Sequence, residues 1–231
     1  MVIVKADLHI HTSDDIYDTY IKHSSIDLIN EASKKGINVI SITLHNHLIA
    51  TKAFEKYKAY AKKKGILLIN GVELKIEGKH VLIYNITKDE FSKLKSFNDL
   101  RTLKKKNKNV FVIAPHPFMP KNFLTKTCLQ DKYFENKDLF DALEIQQFYF
   151  CLLNPNKKTI RIAKNDNKAI VANSDSHFLK FFGDNYTLVD VKSKLDEKSF
   201  FMSIKKQKTQ IVIKNNLFKF INMLLSFIFK F

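Results

Sequence analysis

Histidines and carboxylates recur in short groups along this chain. Of its eight histidines, six lie near an end of a predicted strand and close to an acidic residue or to another histidine. The candidate ligands are His9, His11, His45, His80, His116 and His177, together with Glu73, Asp175 and either Asp14 or Asp15. Neutral imidazoles suit zinc, iron or manganese better than calcium, and about nine such ligands exceed what one ion accepts. The sequence therefore predicts a site for two or three divalent transition metal ions.

The spacing of the first two histidines favours chelation. Alternate residues of an extended strand point to the same side, so His9 and His11 can bind one ion together. The same argument holds for Asp175 and His177. A single histidine beside a strand is more often structural, so the prediction depends on the recurrence of the pattern and not on any one residue.

Other residues that could do chemistry fit no motif. His23 and His47 belong to no pair and are interpreted as structural, although His47 lies close enough to His45 to edge the site. Cys128 and Cys151 have no second cysteine at metal-binding spacing and predict no disulfide framework. No residue is placed as a serine or cysteine nucleophile with an oriented base. With five glycines in the chain, no glycine-rich phosphate loop is present.

The elements that must position these residues follow from the hydrophobic pattern. Short apolar runs alternate with amphipathic segments, which is typical of repeated strand-helix units and a mainly parallel sheet. Strands are predicted at 2–6, 38–43, 66–74, 81–86, 110–114, 142–146, 169–172 and 186–191, and helices at 26–35, 51–64 and 197–206. Ser25 is the expected cap of the first helix. In parallel α/β folds the loops after the strands gather on one face, so the candidate ligands are expected to converge there.

Length and charge limit the class of protein. A chain of 231 residues with 45% apolar content predicts one domain with a large core. The net charge of +16 predicts an anionic partner, such as a phosphorylated substrate, nucleic acid or anionic lipid, unless it reflects a lysine-rich bias alone. The few cysteines, and a first strand that leaves no room for a cleavable signal, predict a cytoplasmic protein.

Six segments, in this order, resemble the polymerase and histidinol phosphatase (PHP) family of metal-dependent phosphoesterases over about residues 1–191. They are Asp7-Leu8-His9-Ile10-His11-Thr12, Ile42-Thr43-Leu44-His45-Asn46, Gly71-Val72-Glu73, His80-Val81-Leu82, Ala114-Pro115-His116-Pro117 and Ser174-Asp175-Ser176-His177. The resemblance implies an α/β fold, a distorted seven-stranded β/α (TIM-like) barrel with a trinuclear metal centre, within a domain at 1–213. It also implies hydrolysis of phosphomonoesters or nucleotides.

The resemblance also implies roles for the candidate ligands. The first ion would be held by His9, His11, Glu73 and Asp175, the second by Glu73, His80 and His116, and the third by an early aspartate, His45 and His177. Glu73, Asp175 and His177 are the expected catalytic residues. Asp14 matches the text of the motif and Asp15 its spacing, so both stay candidates. Leu44 stands where the family has aspartate, which removes a polar group beside His45.

The mechanism that this implies is attack by a metal-activated hydroxide. Multinuclear sites lower the pKa of bound water from 15.7 to about 7, and metals about 3.5–4 Å apart can clamp the phosphoryl oxygens. Two alternatives stay open. The positive charge favours a nuclease that trims nucleic acid ends, and Leu44 together with the tail favours a noncatalytic metal-binding module.

The last residues, 214–231, form a basic and apolar tail. Between 217 and 231 its only polar residues are Lys219, Asn222, Ser226 and Lys230, at spacings of three, four and four, which form one stripe of a helix. Such a helix would be about 22 Å long. A helix that spans a bilayer needs roughly 20 residues, or about 30 Å. It is predicted to lie on the anionic inner face of a membrane, or to pack against the barrel or a second subunit.

Overall fold

The structure, a computed structural model, describes residues 2–119, 126–145, 154, 156–192, 194–214, 221 and 225. The strands are β1 (Val2–Ile10), β2 (Val39–Ile42), β3 (Leu67–Ile76), β4 (Lys79–Tyr84), β5 (Phe111–Ala114), β6 (Ala142–Ile145), β7 (Ala169–Ala172), β8 (Asn185–Val191) and β9 (Thr209–Ile213). The helices are α1 (Ser25–Lys35), α2 (Thr51–Lys63), α3 (Lys88–Ser92), α4 (Phe97–Lys106), α5 (Asp131–Glu135), α6 (Asn156–Asn165) and α7 (Glu197–Lys205).

The strands form one sheet in the order β7-β6-β5-β4-β3-β2-β1-β8-β9. Strands β1, β2 and β3 are parallel, as are β5, β6 and β7, whereas β4 is antiparallel to both of its neighbours and so is β8. The remaining strands, all but β4 and β8, therefore run in one direction. Their carboxyl ends share one end of the sheet with the amino ends of β4 and β8.

The sheet curls until its two edges nearly meet. Thr209 of β9 donates a hydrogen bond to the carbonyl of Ile170 in β7 at 3.1 Å. The hydroxyl of Thr187 in β8 accepts from the amide of Ala172 and lies 2.9 Å from its carbonyl oxygen as well. The fold is thus a mixed α/β, barrel-like sheet. It has nine strands in the described residues instead of the expected seven, because the antiparallel strands β4 and β8 are inserted among co-directional ones.

The interior of the barrel is filled from one end. In β5, Phe111 and Ile113 point into the cluster that contains Phe200 and Phe201 of α7, and the rings of Phe111 and Phe201 stack at 4.3 Å. The alternate residue Val112 packs outward, under the helices. Because Phe111 is at the amino end of β5, α7 closes that end of the barrel. The opposite end is left for polar side chains.

Local capping explains where the first helix begins and ends. Ser24, and not the expected Ser25, caps α1: its side chain accepts from the amide of Asp27, whose carboxylate in turn accepts from the Ser24 amide. Gly36 ends the helix at φ 65°, a left-handed conformation that glycine adopts without steric cost. Apart from β1, the strands and helices that were predicted agree with the structure within a few residues.

Several elements differ from the sequence prediction. β1 continues to Ile10 instead of ending at residue 6, and β9 and the helices α3 to α6 were not predicted. Half of the strand pairings are antiparallel, so the sheet is less parallel than expected. The tail at 214–231 lies almost wholly outside the described residues, and its predicted helix is not addressed by them. Among the described residues, no helix combines the length and the apolar character needed to cross a membrane.

Candidate metal centre

The predicted ligands converge at the open end of the barrel. His9 is in β1 and His11 follows it, Glu73 is in β3, His80 opens β4, His45 and His116 follow β2 and β5, and Asp175 and His177 follow β7. Short bridges fix the loops to the strands: the amide of His11 donates to the carbonyl of Ser176 at 3.0 Å, and that of Glu73 to the carbonyl of Leu44 at 3.2 Å. The backbone thus brings together residues that are far apart in the sequence.

Glu73 is the centre of this arrangement. Its side chain is 2% exposed, and histidines surround both of its oxygens. Oε2 lies 3.2 Å from Nε2 of His9, 3.4 Å from Nε2 of His11 and 3.1 Å from Nε2 of His45, and Oε1 lies 2.7 Å from Nδ1 of His80 and 3.7 Å from Nε2 of His116. A carboxylate in such a position has the geometry of a bridge between cations.

Four of these side chains form what we call the inner cluster: His9, His11, Glu73 and Asp175. Oδ1 of Asp175 lies 3.4 Å and 3.5 Å from Nε2 of the two histidines. A tetrahedral ion with bonds of about 2.1 Å requires donor atoms about 3.4 Å apart. The Nε2 atoms of His9 and His11 are buried and have no hydrogen-bond partner among the described residues. Since unsatisfied buried polar atoms are costly, the inner cluster fits a divalent cation.

A second carboxylate, Glu144, orients the first histidine, and sequence reasoning missed it. Both of its oxygens lie 3.1 Å from Nδ1 of His9, and the side-chain amide of Asn173 donates to Oε1 at 2.7 Å. A carboxylate behind a ligating imidazole fixes the ring and its tautomer. The sequence held a signal for it: an acid inside an apolar strand is buried and must have a partner.

The early aspartates divide into two roles. Oδ2 of Asp14 accepts from the Ser25 hydroxyl at 2.6 Å, at the start of α1, and Asp14 belongs to none of the groups of described residues that could hold an ion. Oδ2 of Asp15 instead lies 3.2 Å from Nδ1 of His11 and 2.8 Å from Nδ1 of His45, whose amide also donates to it at 2.9 Å. Between the two candidates, the structure brings only Asp15 to the site.

Asp18 is a further acid that the sequence analysis did not consider. Its Oδ2 lies 3.0 Å from Nε2 of His177 and 3.6 Å from Nδ1 of His45. We call Asp15, Asp18, His45 and His177 the loop cluster, because all four lie in loops. Three of them, Asp15, Asp18 and His45, have ligand atoms close enough together to hold one ion, and so do His11, His45 and His177. Because the loop contains three aspartates, Asp14, Asp15 and Asp18, the sequence alone does not show which of them faces the histidines.

His80 and His116 complete the set on the far side of Glu73. The amide of His80 donates to the carbonyl of Thr127 at 2.8 Å, and Nδ1 of His116 lies 3.3 Å from the buried sulfur of Cys128. His116 and Asp175 adopt φ values of 31° and 45°, in a region that side-chain-bearing residues rarely occupy. Such strain persists only where the surroundings enforce it, and it is common at functional sites.

Charge within the site is strongly coupled. Burial by itself would lower the pKa of His11, but its close contacts with the carboxylates of Asp15, Asp175 and Glu73 raise it to about 10. Burial would likewise raise the pKa of Glu73, yet His80 and His9 and the other histidines hold it well below its usual range. Imidazoles must lose their protons to bind metal, so uptake of a cation by this site would release protons.

The two histidines interpreted as structural have structural contacts. Nε2 of His23 lies 2.9 Å from the carbonyl of His11. His47 bridges two loops, with Nδ1 2.9 Å from the carbonyl of His45 and Nε2 2.9 Å from that of Asp14. Both rings therefore contact backbone carbonyl groups around the site, and neither contacts Glu73 among the contacts of the described residues.

Leu44 does not leave the gap that its departure from the motif implied. Its side chain is 1% exposed and belongs to the apolar cluster of β2 and helices α1 and α2, together with Leu28 and Phe54. An aspartate there would lie in an apolar environment instead of beside His45. The position therefore anchors the loop through packing.

The barrel-like sheet and the histidine-carboxylate cluster at the carboxyl ends of its strands place this chain in the class of α/β barrel proteins with a candidate metal site at one end. Residues 154–209 match the PHP-associated family model. An uncharacterized protein of Methanocaldococcus jannaschii is 30% identical over 128 residues, which cover 51% of this chain and 70% of that protein. The chain belongs to the PHP-domain family.

Solved structures share the fold. PsfC from Pseudomonas syringae PB-5123 is similar with a TM-score of 0.67 at 13% identity, over 99% of this chain and 98% of that one. The lesion-specific endonuclease PfuEndoQ from Pyrococcus furiosus has a TM-score of 0.61 at 16% identity, and the match covers 91% of this chain but only 58% of the endonuclease. A protein described as a metal-dependent phosphoesterase, from Bifidobacterium adolescentis, has a TM-score of 0.54 at 15% identity over 74% and 87% of the two chains.

Proposed function

We propose that this protein is a hydrolase of phosphate esters that uses two or three divalent transition metal ions, manganese, iron or zinc. One observation carries the proposal: a buried carboxylate, Glu73, has histidine nitrogens around both oxygens, at 2.7 to 3.7 Å. A single ion could not use this many ligands. Membership of the PHP-domain family and the fold shared with a phosphoesterase and an endonuclease support the same reaction class.

The described residues offer ligands for more than one ion. We assign the first to the inner cluster, the second to Glu73, His80 and His116, and the third to His45, His177 and an aspartate. For that aspartate the contacts favour Asp15 or Asp18 over Asp14. When bound, divalent cations of this kind make hydroxide available near neutral pH and stabilise the charge that develops on phosphate.

The chain's own residues would act through position and charge. Glu73 and Asp175 offset the cationic charge inside the barrel. Glu144 and Asp15 hold the rings of His9 and His11, so that Nε2 of each faces the site. His177, whose Nε2 is 3.0 Å from Asp18 at the edge of the site, would hold the third ion through that nitrogen.

The test combines metal analysis with turnover. Purified protein is assayed for bound metals and for phosphate release from a panel of nucleotides and other phosphomonoesters with manganese, alongside the Glu73→Gln and Glu73→Ala variants. We expect both variants to lose bound metal. Their rate of phosphate release should fall by more than the roughly hundredfold that removal of an orienting partner costs. Glu55→Gln, on the exposed face of α2, is the matched control. Metal-loaded wild-type protein that releases no phosphate would contradict the proposal.

A nuclease that trims nucleic acid ends is the second candidate, favoured by the net charge of +16 and by the fold shared with PfuEndoQ. Lysine contacts to phosphates release counterions, so binding should weaken steeply as salt rises. Cleavage of end-labelled oligonucleotides at several salt concentrations distinguishes the candidates. A mononucleotide phosphatase would show a much weaker salt dependence.

We retain the division into a catalytic domain at 1–213 and a tail at 214–231 as part of the proposal. The tail's phenylalanines, leucines and lysines suit an anionic membrane face. Co-sedimentation of the full chain with anionic and with neutral vesicles tests this, and equal binding to both would count against it.

A further inference from the structure

Two large apolar side chains are exposed in the loop that carries the early aspartates. Ile16 is 67% exposed and Tyr17 is 60% exposed. The loop is nevertheless held to the site, because the amide of Tyr17 donates to Oδ1 of Asp15 at 2.9 Å while Oδ2 of the same carboxylate contacts His45. The ring of Tyr17 lies 6.5 Å from that of His47. Apolar side chains at such a position have no structural role in the core.

Half-buried aromatic rings also form a chain of contacts that begins at His177. The Tyr20 ring lies 6.2 Å from that of His177 and nearly parallel to it, at 9°. Phe178 lies 5.9 Å from Tyr20, and Phe181 lies 6.2 Å from Phe178. The ammonium of Lys180 is over both phenylalanine rings, at 5.7 and 5.0 Å. The loop cluster is thus adjoined by half-buried aromatic rings, two of which have a cation over them.

We propose that Tyr17, Tyr20, Phe178 and Phe181, which we call the aromatic flank, bind a nucleobase, so that the substrate is a nucleotide or the end of a single strand. The inference rests on the proposed function, since it places the ester phosphate at the metal centre. A base is one sugar away from its phosphate, which brings it to the rings beside His177 or His47. Every base has a π face, and stacking on aromatic side chains tolerates any sequence.

The chemistry of the flank favours a base over a sugar. A sugar phosphate would be recognised chiefly by hydrogen-bonding groups placed around its hydroxyls. These positions instead present mainly aromatic rings and an isoleucine, and of the two tyrosine hydroxyls that of Tyr20 already contacts Asp18 at 3.5 Å. Lys180 and the net charge of +16 favour an anionic ligand over a purely apolar one. The flank therefore matches both parts of a nucleotide.

The experiment compares adenosine 5′-monophosphate with ribose 5-phosphate, which has the same ester without the base. The ratio of kcat/KM for the two should exceed one in the wild type and fall about fivefold to hundredfold in Tyr17→Ala. Tyr17→Phe keeps the ring and should keep the ratio. Ile16→Ala should lower the ratio slightly. Ile3→Ala should not, because Ile3 is equally exposed, at 68%, but lies at the amino end of β1.

The outcomes separate this inference from the proposed function. Equal kcat/KM for both esters would overturn the nucleobase site while leaving phosphate-ester hydrolysis intact. If neither ester is hydrolysed, the proposed function fails, and calorimetry with metal-loaded protein decides the inference: it holds only if the nucleotide binds more tightly and Tyr17→Ala removes the difference. An oligonucleotide assayed beside the mononucleotide identifies the source of the base. Should Tyr17→Ala instead dissociate a dimer in sedimentation, the flank is a protein interface and the inference is wrong.

Discussion

The inner cluster and the loop cluster contain the same kinds of side chain but differ in how they are held. His9 and Glu73 of the inner cluster are strand residues, fixed by the hydrogen bonds of the sheet and almost fully buried. The loop cluster depends on contacts between its own members, at 2.8 Å between His45 and Asp15 and at 3.0 Å between His177 and Asp18. One set of ligands is positioned by the fold and the other by its own ion pairs.

This difference has a consequence for metal binding. In the inner cluster, the Nε2 atoms of His9 and His11 have no hydrogen-bond partner among the described residues, so a cation adds interactions that were missing. In the loop cluster, Nε2 of His177 already lies 3.0 Å from Oδ2 of Asp18, so a cation there must displace a shorter ion pair. We therefore expect the inner cluster to bind its ion more tightly and the loop cluster to lose its ion first on dialysis against a weak chelator.

The largest expected effect comes from Leu44→Asp, which attacks the packing under the loop cluster. Leu44 is 1% exposed, and an aspartate would remove an apolar contact and bury a carboxyl group, at a cost of about 3–5 kcal/mol. Urea unfolding should show this loss, with reduced metal content at the loop cluster. Leu44→Met, which conserves volume, should cost under about 1.5 kcal/mol. A gain in phosphatase activity in Leu44→Asp would contradict this reading of the position and would support a noncatalytic wild type.

The next effect is on pH dependence and sharpens the role of the inner cluster. The pKa of His11 is raised from 6.5 to about 10 in the folded, metal-free protein, so its stabilising contribution is complete below 6.5 and is lost as the pH rises through about 10. The pKa of His9 is raised in the same sense. Within that window, the contribution of each such histidine to the free energy of unfolding falls by about 1.4 kcal/mol for every unit that the pH rises. Glu73 and Asp175 have lowered pKa values, so their contribution is instead lost on the acid side.

The measurement is urea unfolding of chelator-treated protein at about pH 7 and about pH 9. From His11 alone, the free energy of unfolding of the metal-free protein should fall between them by roughly 3 kcal/mol. Metal-loaded protein should not follow this trend, because ligating imidazoles are already neutral and metal affinity rises with pH. A metal-free protein that is equally stable at both pH values would show that the histidines are not held protonated by the carboxylates.

A smaller effect is expected from Glu144→Ala, which removes the acid behind His9. The substitution leaves Nδ1 of His9 and the side-chain amide of Asn173 without their partner. Loss of such an orienting group typically costs tenfold to hundredfold in metal affinity, or about 1.4–2.7 kcal/mol. Isothermal titration of the metal-free variant measures it. Glu144→Gln should retain part of the affinity, and an unchanged affinity in Glu144→Ala would mean that the strand alone holds His9.

Much of the inner cluster could be predicted from the sequence because its residues lie on strands or shortly after them. His9 lies in β1 and His11 follows two residues on, and Glu73 lies in β3 after a buried apolar run, so the local pattern predicts their position. Glu144 was missed since a single acid in an apolar strand looks like an isolated exception. Only the contact with His9, 135 residues away, shows what it does.

The loop cluster was less predictable for a physical reason. Asp14 and Asp15 are adjacent, and which one faces the histidines depends on a contact at the start of α1, where the Ser25 hydroxyl donates to Asp14. Asp18 lies in no motif, and its contact with His177 arises from the fold of a loop that no periodicity describes. The closing strand β9 was missed in the same way, because its partner β8 and its contact with β7 are tertiary features.

The smallest expected effect, and the one that tests the loop cluster alone, is that of Asp18→Asn. The amide keeps the size of the side chain but removes the charge that faces His177 and His45, so one ion should bind about tenfold more weakly while the inner cluster is unaffected. Metal analysis after dialysis should therefore show one ion fewer than in the wild type. Asp14→Asn is the matched control, since Asp14 contacts Ser25 instead of the site, and it should keep every ion. If both variants keep the same metals, the loop cluster holds no ion and the centre is confined to the ligands around Glu73.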